Sequence, residues 1–463
     1  MTLLDAEPAL LPSRIQMAFT LAYHILLVPL GVGLPVLTLA MEGIGIWRKD
    51  ADAIKLARRW SVVMAAQFAV GAVTGTILSF EFGLLWPKML GRWGPAFGLG
   101  FAVEGWGFFL EAVFLGIYLY GWSRLSARLH FALGLVLPPA GLLGAFGVLA
   151  ANSWMNTPGG YTVGPNGALD VSVWPALFTR ALGYEFWHFV IAIYITCSFA
   201  VASVYAVAWL RGRRDHYQRL GFALPFSIGA VLAPVQFVVG DLSARALAYD
   251  QPAKFAAMEL VWKTQGHNPE LLGGVMDPGG QVHLAIPIPA LDSFLVGYSA
   301  GTVVKGLTSF AADARPTFIE ANLTHLAFDT MVGLGSLGAL LGLWYLFTLL
   351  ARRRLPESVW FYRLAALAGI GSYICVETGW MTTEIGRQPW IVYGVMRVSE
   401  AVTDAPAAYI WSMLGVLVAV YAVIAAFFVT LLLQLTARWR RADLGEPVEA
   451  PEQGVPYGPP ETG

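Results

Sequence analysis

The sequence predicts an all-α, polytopic membrane protein with about nine transmembrane helices and one long outer loop. Three observations lead there. Of the 463 residues 57% are hydrophobic and only 13% charged, with a mean hydropathy of +0.62, more apolar surface than a water-soluble core can hide. Nine apolar runs reach or exceed the roughly 20 residues a helix needs to cross a bilayer. Basic residues gather in alternate loops, as the positive-inside rule requires of a multi-pass chain. The net charge of −1 and the lack of a basic block give no reason to expect a nucleic-acid partner.

The runs lie near 15–44, 58–86, 95–122, 129–152, 181–210, 217–241, 321–351, 361–384 and 407–436. Their backbone must satisfy its own hydrogen bonds in lipid, and no alternating ten-residue pattern points to a barrel, so helices are the expected form. No basic stretch leads into a short apolar segment with a small-residue cleavage site, so the first span is expected to be retained. Arg48, Lys49, Lys55, Arg58 and Arg59 follow the first span, Arg124 and Arg128 the third, Arg211, Arg213, Arg214 and Arg219 the fifth, Arg352, Arg353 and Arg354 the seventh, and Arg438, Arg440 and Arg441 the ninth. Every odd-numbered span thus ends in a basic loop, which puts the N-terminus outside and the C-terminus in the cytoplasm.

Four segments follow in chain order: 1–241 with spans one to six, an outer loop over 242–320, spans seven to nine over 321–436, and a tail over 437–463. The loop is rich in Pro and Gly, with an amphipathic stretch around 253–265, and loops of that length are often functional. The tail, with its Pro, Gly and Glu, reads as disordered.

Polar side chains inside the apolar runs carry the chemistry. His24, His188, Met331 and Glu384 fall in the outer half of the membrane when depth is counted at about 1.5 Å per residue. An intramembrane imidazole usually has a partner, and where buried donors are few a metal or cofactor is the expected one. A His and a Met from two helices form an axial pair for low-spin haem, whereas a lone His or carboxylate suits a high-spin iron with an open face. His188 donating to a helix carbonyl and Met331 filling a gap is the plainer alternative, but four such residues at similar depth favour ligation. Glu104 and Glu111, seven apart, share nearly one helix face about 10 Å apart along the axis. Two intramembrane carboxyls so placed suit a proton relay, the alternative being acids satisfied by local hydrogen bonds. Cys197 and Cys375 lie within apolar runs and read as packing residues, which argues against iron–sulfur chemistry.

The stretch from Gly379 to Trp390, GWMTTEIGRQPW, closely resembles the GRQPW signature of subunit I of cytochrome bd-type quinol oxidases. Matches in order along the chain are Tyr23-His24, Glu104-Gly105, Phe108 to Glu111, Ala151-Asn152, Trp154-Met155 and Trp262 to Gln265. The resemblance implies a bacterial inner-membrane complex that oxidises quinol, ubiquinol or menaquinol, at its outer face and reduces O2 to water. It implies that His188 and Met331 ligate a low-spin haem b, Glu384 a high-spin haem b, and His24 the oxygen-reactive haem, either haem d or a further haem b. Arg387 would stabilise haem propionates or reduced cofactors, Trp380 would lie between cofactors, and Lys254 and Glu259 would serve quinol oxidation in a loop of the short type. If that stretch is helical, Lys254 and Glu259 point apart and Glu259 with Lys263 makes an ordinary i,i+4 pair. A second large subunit is implied as partner, with a possible small single-span one.

Some positions depart from the family pattern. Asp329 stands where long-loop members carry an arginine, reversing the charge near the methionine ligand. His325 offers a competing imidazole, about 600° of helix rotation from Met331. Ala112 and Gly144 replace frequent serines, so a proton path beyond Glu111 would lean on water. Two other classes predict different patterns. A proton-coupled secondary transporter predicts internal repeats, which the two halves do not show, and a quinone-linked cytochrome b without oxygen chemistry predicts paired histidines for each haem.

Overall fold

The computed structural model describes residues 8–165, 167 and 169–446. Helix α1 (Leu10–Arg48) turns at Lys49, in left-handed conformation with φ 54°, into α2 (Ala51–Leu85), whose first amides are capped by the Asp50 carboxylate. After Trp86 come α3 (Pro87–Gly121), α4 (Ala127–Gly134) and α5 (Leu137–Asn156). The fourth expected span is therefore interrupted just before Pro138 and Pro139, where the missing N–H and the restriction on the preceding residue disfavour a continuous helix. A hairpin of β1 (Tyr161–Val163) and β2 (Leu169–Val171) and a short α6 (Val173–Leu177) lead to α7 (Leu182–Leu210) and α8 (His216–Asp250).

The long loop follows. It opens with α9 (Pro252–Met258) and continues through β3 (Glu270–Leu272), β4 (Val275–Met276), β5 (Val282–His283), β6 (Ile286–Ile288) and α10 (Leu291–Gly297). β3 pairs antiparallel with β6, and β4 with β5. Helices α11 (Phe318–Arg352) and α12 (Val359–Gly386), the ribbon β7 (Trp390–Val392) with β8 (Met396–Arg397), the turn α13 (Val398–Ala401) and α14 (Ala407–Asp443) complete the chain.

Among the described residues nine helices, α4 and α5 counted together, are long and apolar enough to cross a membrane, as expected. Their ends run past the apolar runs because hydropathy marks the lipid-facing stretch and not the last hydrogen-bonded turn. Thus α8 continues to Asp250, so the loop begins at 251 and not 242, and α14 takes in residues 437–443. The expected tail beyond 446 lies outside the described residues. Of the amphipathic stretch around 253–265, only the part up to Met258 is helical; Glu259 leaves helical geometry and Leu260 has φ 49°.

The chain divides into two compact units: one of Met1–Trp86, Gly105–Gly144 and Val402–Gly463, the other of Pro87–Glu104 and Ala145–Ala401. In the first, α1 packs along α2, and α14 lies against both, with the Tyr421 ring 4.5 Å from Tyr23 and 5.6 Å from Phe19. Its buried polar clamp joins α1, α3 and α4. His130 Nδ1 lies 2.7 Å from Glu42 Oε1, its Nε2 lies 2.8 Å from the Tyr118 carbonyl, and the Tyr118 hydroxyl donates to Glu42 Oε2 at 2.6 Å. In the second unit α7, α8, α11 and α12 form a four-helix bundle around Phe226, which meets Phe199, Tyr345 and Phe361. There α3 approaches α5 at glycine, since a methyl group on Gly100 would meet the Gly147 carbonyl oxygen at 2.7 Å.

Candidate functional site

His188 enters the bundle two turns into α7. Its Nδ1 lies 3.2 Å from Gln236 Nε2 on α8, and the same amide donates to the His188 carbonyl at 3.1 Å. Met331 on α11 faces α12 beside Cys375, whose thiol donates to the Met331 carbonyl. Cys375 thus packs, as does the fully buried Cys197. Each of these two candidate ligands is flanked by a glycine: a methyl group would sit 3.6 Å from His188 Cε1 at Gly240 and 2.8 Å from Met331 Sδ at Gly379. His24, in the other unit, has the same neighbour in Gly75, at 3.1 Å from Cε1.

The His24 ring is oriented by one hydroxyl. Thr74 Oγ1 lies 2.9 Å from His24 Nδ1 and can donate to the carbonyl of Val70 at 3.1 Å or Gly71 at 3.2 Å. With its proton on a carbonyl it would accept from Nδ1 and leave Nε2 its lone pair, the tautomer an iron ligand needs.

Glu384, on the last turn of α12, receives a hydrogen bond from Arg387 Nη2 at 2.6 Å. Arg387 is buried and also donates to Asn156 at 3.0 Å and Asn152 at 3.3 Å, both on α5; those asparagines in turn donate to Glu185 on α7 at 2.7 and 3.4 Å. Lys254 of α9 is buried on the same side. Loss of hydration, and then the Arg387 charge, push its ammonium down to about 8, against the opposite pull of Glu185 and Glu384. Two donors here, Trp380 Nε1 and Arg387 Nε, are buried without a protein acceptor. Buried donors are rarely left unpaired, and an anionic acceptor such as a haem propionate would satisfy them. The residues present therefore fit the group.

Lys254 and Glu259 are not brought together. Glu259 faces the loop, where one carboxylate oxygen each from Glu259, Glu270 and Asp292 lie within 4.8 Å of one another. Burial, and then the negative neighbours Glu270 and Asp292, hold Glu259 well above the usual carboxylate range. Burial, and then Asp292, push Glu270 up to about 7 against the pull of its hydrogen bond with Glu259, and burial pushes Asp292 up to about 6 although Asn268 donates to it at 2.6 Å. The alternative pairing of Glu259 with Lys263 does not form, because the helix has ended and Lys263 is exposed.

His325 is excluded as a ligand. Its Nδ1 faces the Met258 carbonyl at 2.8 Å, and its Nε2 faces the Gly273 carbonyl at 3.1 Å and Asp329 at 3.4 Å, so both nitrogens are committed to fastening α11 to the loop. Asp329, which also accepts from the Gly273 amide, belongs to that fastening. Glu104 and Glu111 both project from α3 near glycines of α5, Glu104 with its backbone against Gly147 and Glu111 with its carboxylate close to Gly141. Glu185, Asn156 and Gln236 escaped the sequence reading. A glutamate three residues before His188 was the available signal, but its partners lie on distant helices.

The fold and these side chains define a class, a multi-pass helical membrane protein with cofactor-type ligands inside its bundles. The chain belongs to the cytochrome bd terminal oxidase subunit I family, whose model matches residues 12–439. It is 31% identical over 415 residues to cytochrome bd ubiquinol oxidase subunit 1 of Bacillus subtilis, covering 84% of this chain and 85% of that one. It is 27% identical over 457 residues to cytochrome bd-II ubiquinol oxidase subunit 1 of Escherichia coli, covering 84% and 88%. The structure of bd oxidase from Geobacillus thermodenitrificans superposes with a TM-score of 0.87 at 32% identity, over 94% of this chain and 99% of that one. The chain is thus a haem-containing terminal oxidase subunit that works with a subunit II, and the transporter and cytochrome b alternatives fall away.

Proposed function

We propose that this chain oxidises quinol at its outer loop and delivers the electrons to oxygen reduced with protons drawn from the cytoplasm. One observation carries the reading: His24, His188 and Met331 each lie beside a glycine of the neighbouring helix, in a chain of this family. In this reading His188 and Met331 hold a low-spin haem b, Glu384 a high-spin haem b, and His24 the oxygen-reactive haem, d or b. Bound haem would supply one-electron transfer and, at an open iron, reduction of oxygen to water.

The chain's own residues do the rest. Thr74 fixes the His24 tautomer, and Arg387, anchored by Asn152 and Asn156, sets a positive field beside Glu384. Trp380, four residues before Glu384 and so on the same side of α12, would lie between cofactors and offer its unpartnered indole N–H. Glu259 takes a proton from quinol, while Lys254 adds positive charge on the opposite side of α9. Glu111 and Glu104 pass protons outward from the cytoplasmic side, with water completing the path where Ala112 and Gly144 lack hydroxyls. Basic loops after the odd-numbered spans support an N-terminus outside and a C-terminus inside a bacterial cytoplasmic membrane. A small single-span subunit beside subunit II, and either ubiquinol or menaquinol as reductant, complete the reading.

The test is a dithionite-reduced minus air-oxidised visible spectrum of the purified complex, repeated for His188→Ala. A low-spin haem b band that vanishes in the variant is expected, and a far-red chlorin band would identify haem d. A complex without haem absorbance would overturn the reading.

A further inference from the structure

In the first unit a polar stripe leads from the first turn of α1 to His24, and no step proposed above uses it. Ser13, Gln16 and Thr20 on α1 are 0% exposed, Glu81 on α2 is 2% exposed and Tyr421 on α14 is 1% exposed. Positions 13, 16, 20 and 24 recur at three and four residues and so share one face of α1. Glu81 and Thr74, seven apart, share a face of α2, and Thr74 is the residue that orients His24.

Direct bonds satisfy only part of this cluster. Gln16 Nε2 donates to Glu81 Oε1 at 2.6 Å, the Thr20 hydroxyl donates to the Gln16 carbonyl at 2.9 Å, and the Tyr23 hydroxyl donates to the Tyr421 carbonyl at 3.3 Å. Ser13 Oγ, Gln16 Oε1, Glu81 Oε2 and Tyr421 Oη are buried without a protein partner. The Tyr421 hydroxyl lies in the field of Glu81. Buried polar atoms in native proteins nearly always have a partner, and where protein supplies none, ordered water does, typically bridging about three groups. Four such atoms from three helices of one unit leave hydrogen bonds that bridging water would fill.

We infer that Ser13, Gln16, Glu81 and Tyr421 line a water passage from the outer face to His24, through which product water leaves the oxygen-reducing site. The inference rests on the reading of His24 as ligand of the oxygen-reactive haem. Substrate and product have opposite preferences: oxygen is apolar and gains nothing from carboxylate, amide and phenol groups, whereas water does. A hydrated carboxylate and phenol one to two turns outside His24 would draw product away from the ligand side.

Radiolytic hydroxyl-radical footprinting of the intact purified complex, read by mass spectrometry, tests this, since buried side chains are oxidised rapidly only beside bound water. Tyr421 should be labelled several-fold faster than Tyr118, which is equally buried but donates directly to Glu42. Glu81→Leu should abolish the difference while the haem spectrum is kept; Ser13→Val, at the outer mouth, does the same job if the first variant fails to assemble. Equal, slow labelling of Tyr421 and Tyr118 in the wild-type complex would overturn the passage. Failure of the His24 reading is separately visible, because His24→Ala would then leave every haem band unchanged while Tyr421 stayed labelled.

Discussion

Lys254 and Glu259 show how residue-scale chemistry depends on where a helix ends. Five positions apart, they face different charge environments: Lys254 the Arg387 network, Glu259 the trio with Glu270 and Asp292. A carboxyl pushed up to about 7, as at Glu270, keeps its proton in the folded loop above the pH at which the unfolded chain releases it. Its contribution to loop stability is therefore full below the unfolded value of 4.5 and falls as pH rises towards about 7. In the proposed reading Glu259 accepts a proton only when ionised, and it shares a cluster with Glu270, whose carboxyl is pushed up to about 7, so kcat/KM for a soluble quinol should rise as pH climbs from about 6 to about 7, and Glu270→Gln should flatten that limb. Loss of the Lys254 charge above about 8 should lower it again, a fall absent in Lys254→Met. Oxygen-uptake profiles against pH check both; limbs unchanged in the variants would remove Glu270 and Lys254 from the proton and charge roles. His24, His188 and Glu384 were legible as candidates because a polar group in an apolar run stands out, and Met331 because a thioether at similar depth can complete an axial pair, whereas Glu185 was not, since its meaning comes from Asn152, Asn156 and Arg387 on other segments.

At the scale of elements, hydropathy located every span but misplaced ends, and it treated the fourth as continuous although Pro138 and Pro139 follow a break. Close helix approach was also hidden. The Gly100 contact with Gly147 predicts that Gly100→Val destabilises the assembled complex by about 1–3 kcal/mol, while Gly98→Val, on the same helix with open space at its Cβ, does not. Thermal unfolding in detergent compares the two, and equal stability would deny the contact. The clamp of His130, Glu42 and Tyr118 joins three elements through buried hydrogen bonds, so His130→Ala, which takes one partner each from the Glu42 carboxyl and the Tyr118 carbonyl, should cost about 1–3 kcal/mol. An unshifted unfolding midpoint would show the clamp to be dispensable.

For the whole molecule, the alternation of basic loops and nine apolar runs made the architecture readable from sequence, and the stretch from Gly379 to Trp390 made the family so. The two compact units were not readable, because one of them gathers three separate stretches of chain. In the proposed reading quinol gives up electrons and protons on the outer side while Glu111 and Glu104 carry protons from the inner side, so turnover would separate charge without a pumping step. The direct measurement is interior pH in proteoliposomes holding the complete complex in one orientation, driven by quinol from outside with charge compensated by an ionophore. The interior should turn alkaline in step with oxygen consumption, and Glu111→Gln should slow both together. Steady oxygen consumption with no interior alkalinisation, or a Glu111→Gln complex that alkalinises at the wild-type rate, would contradict the account.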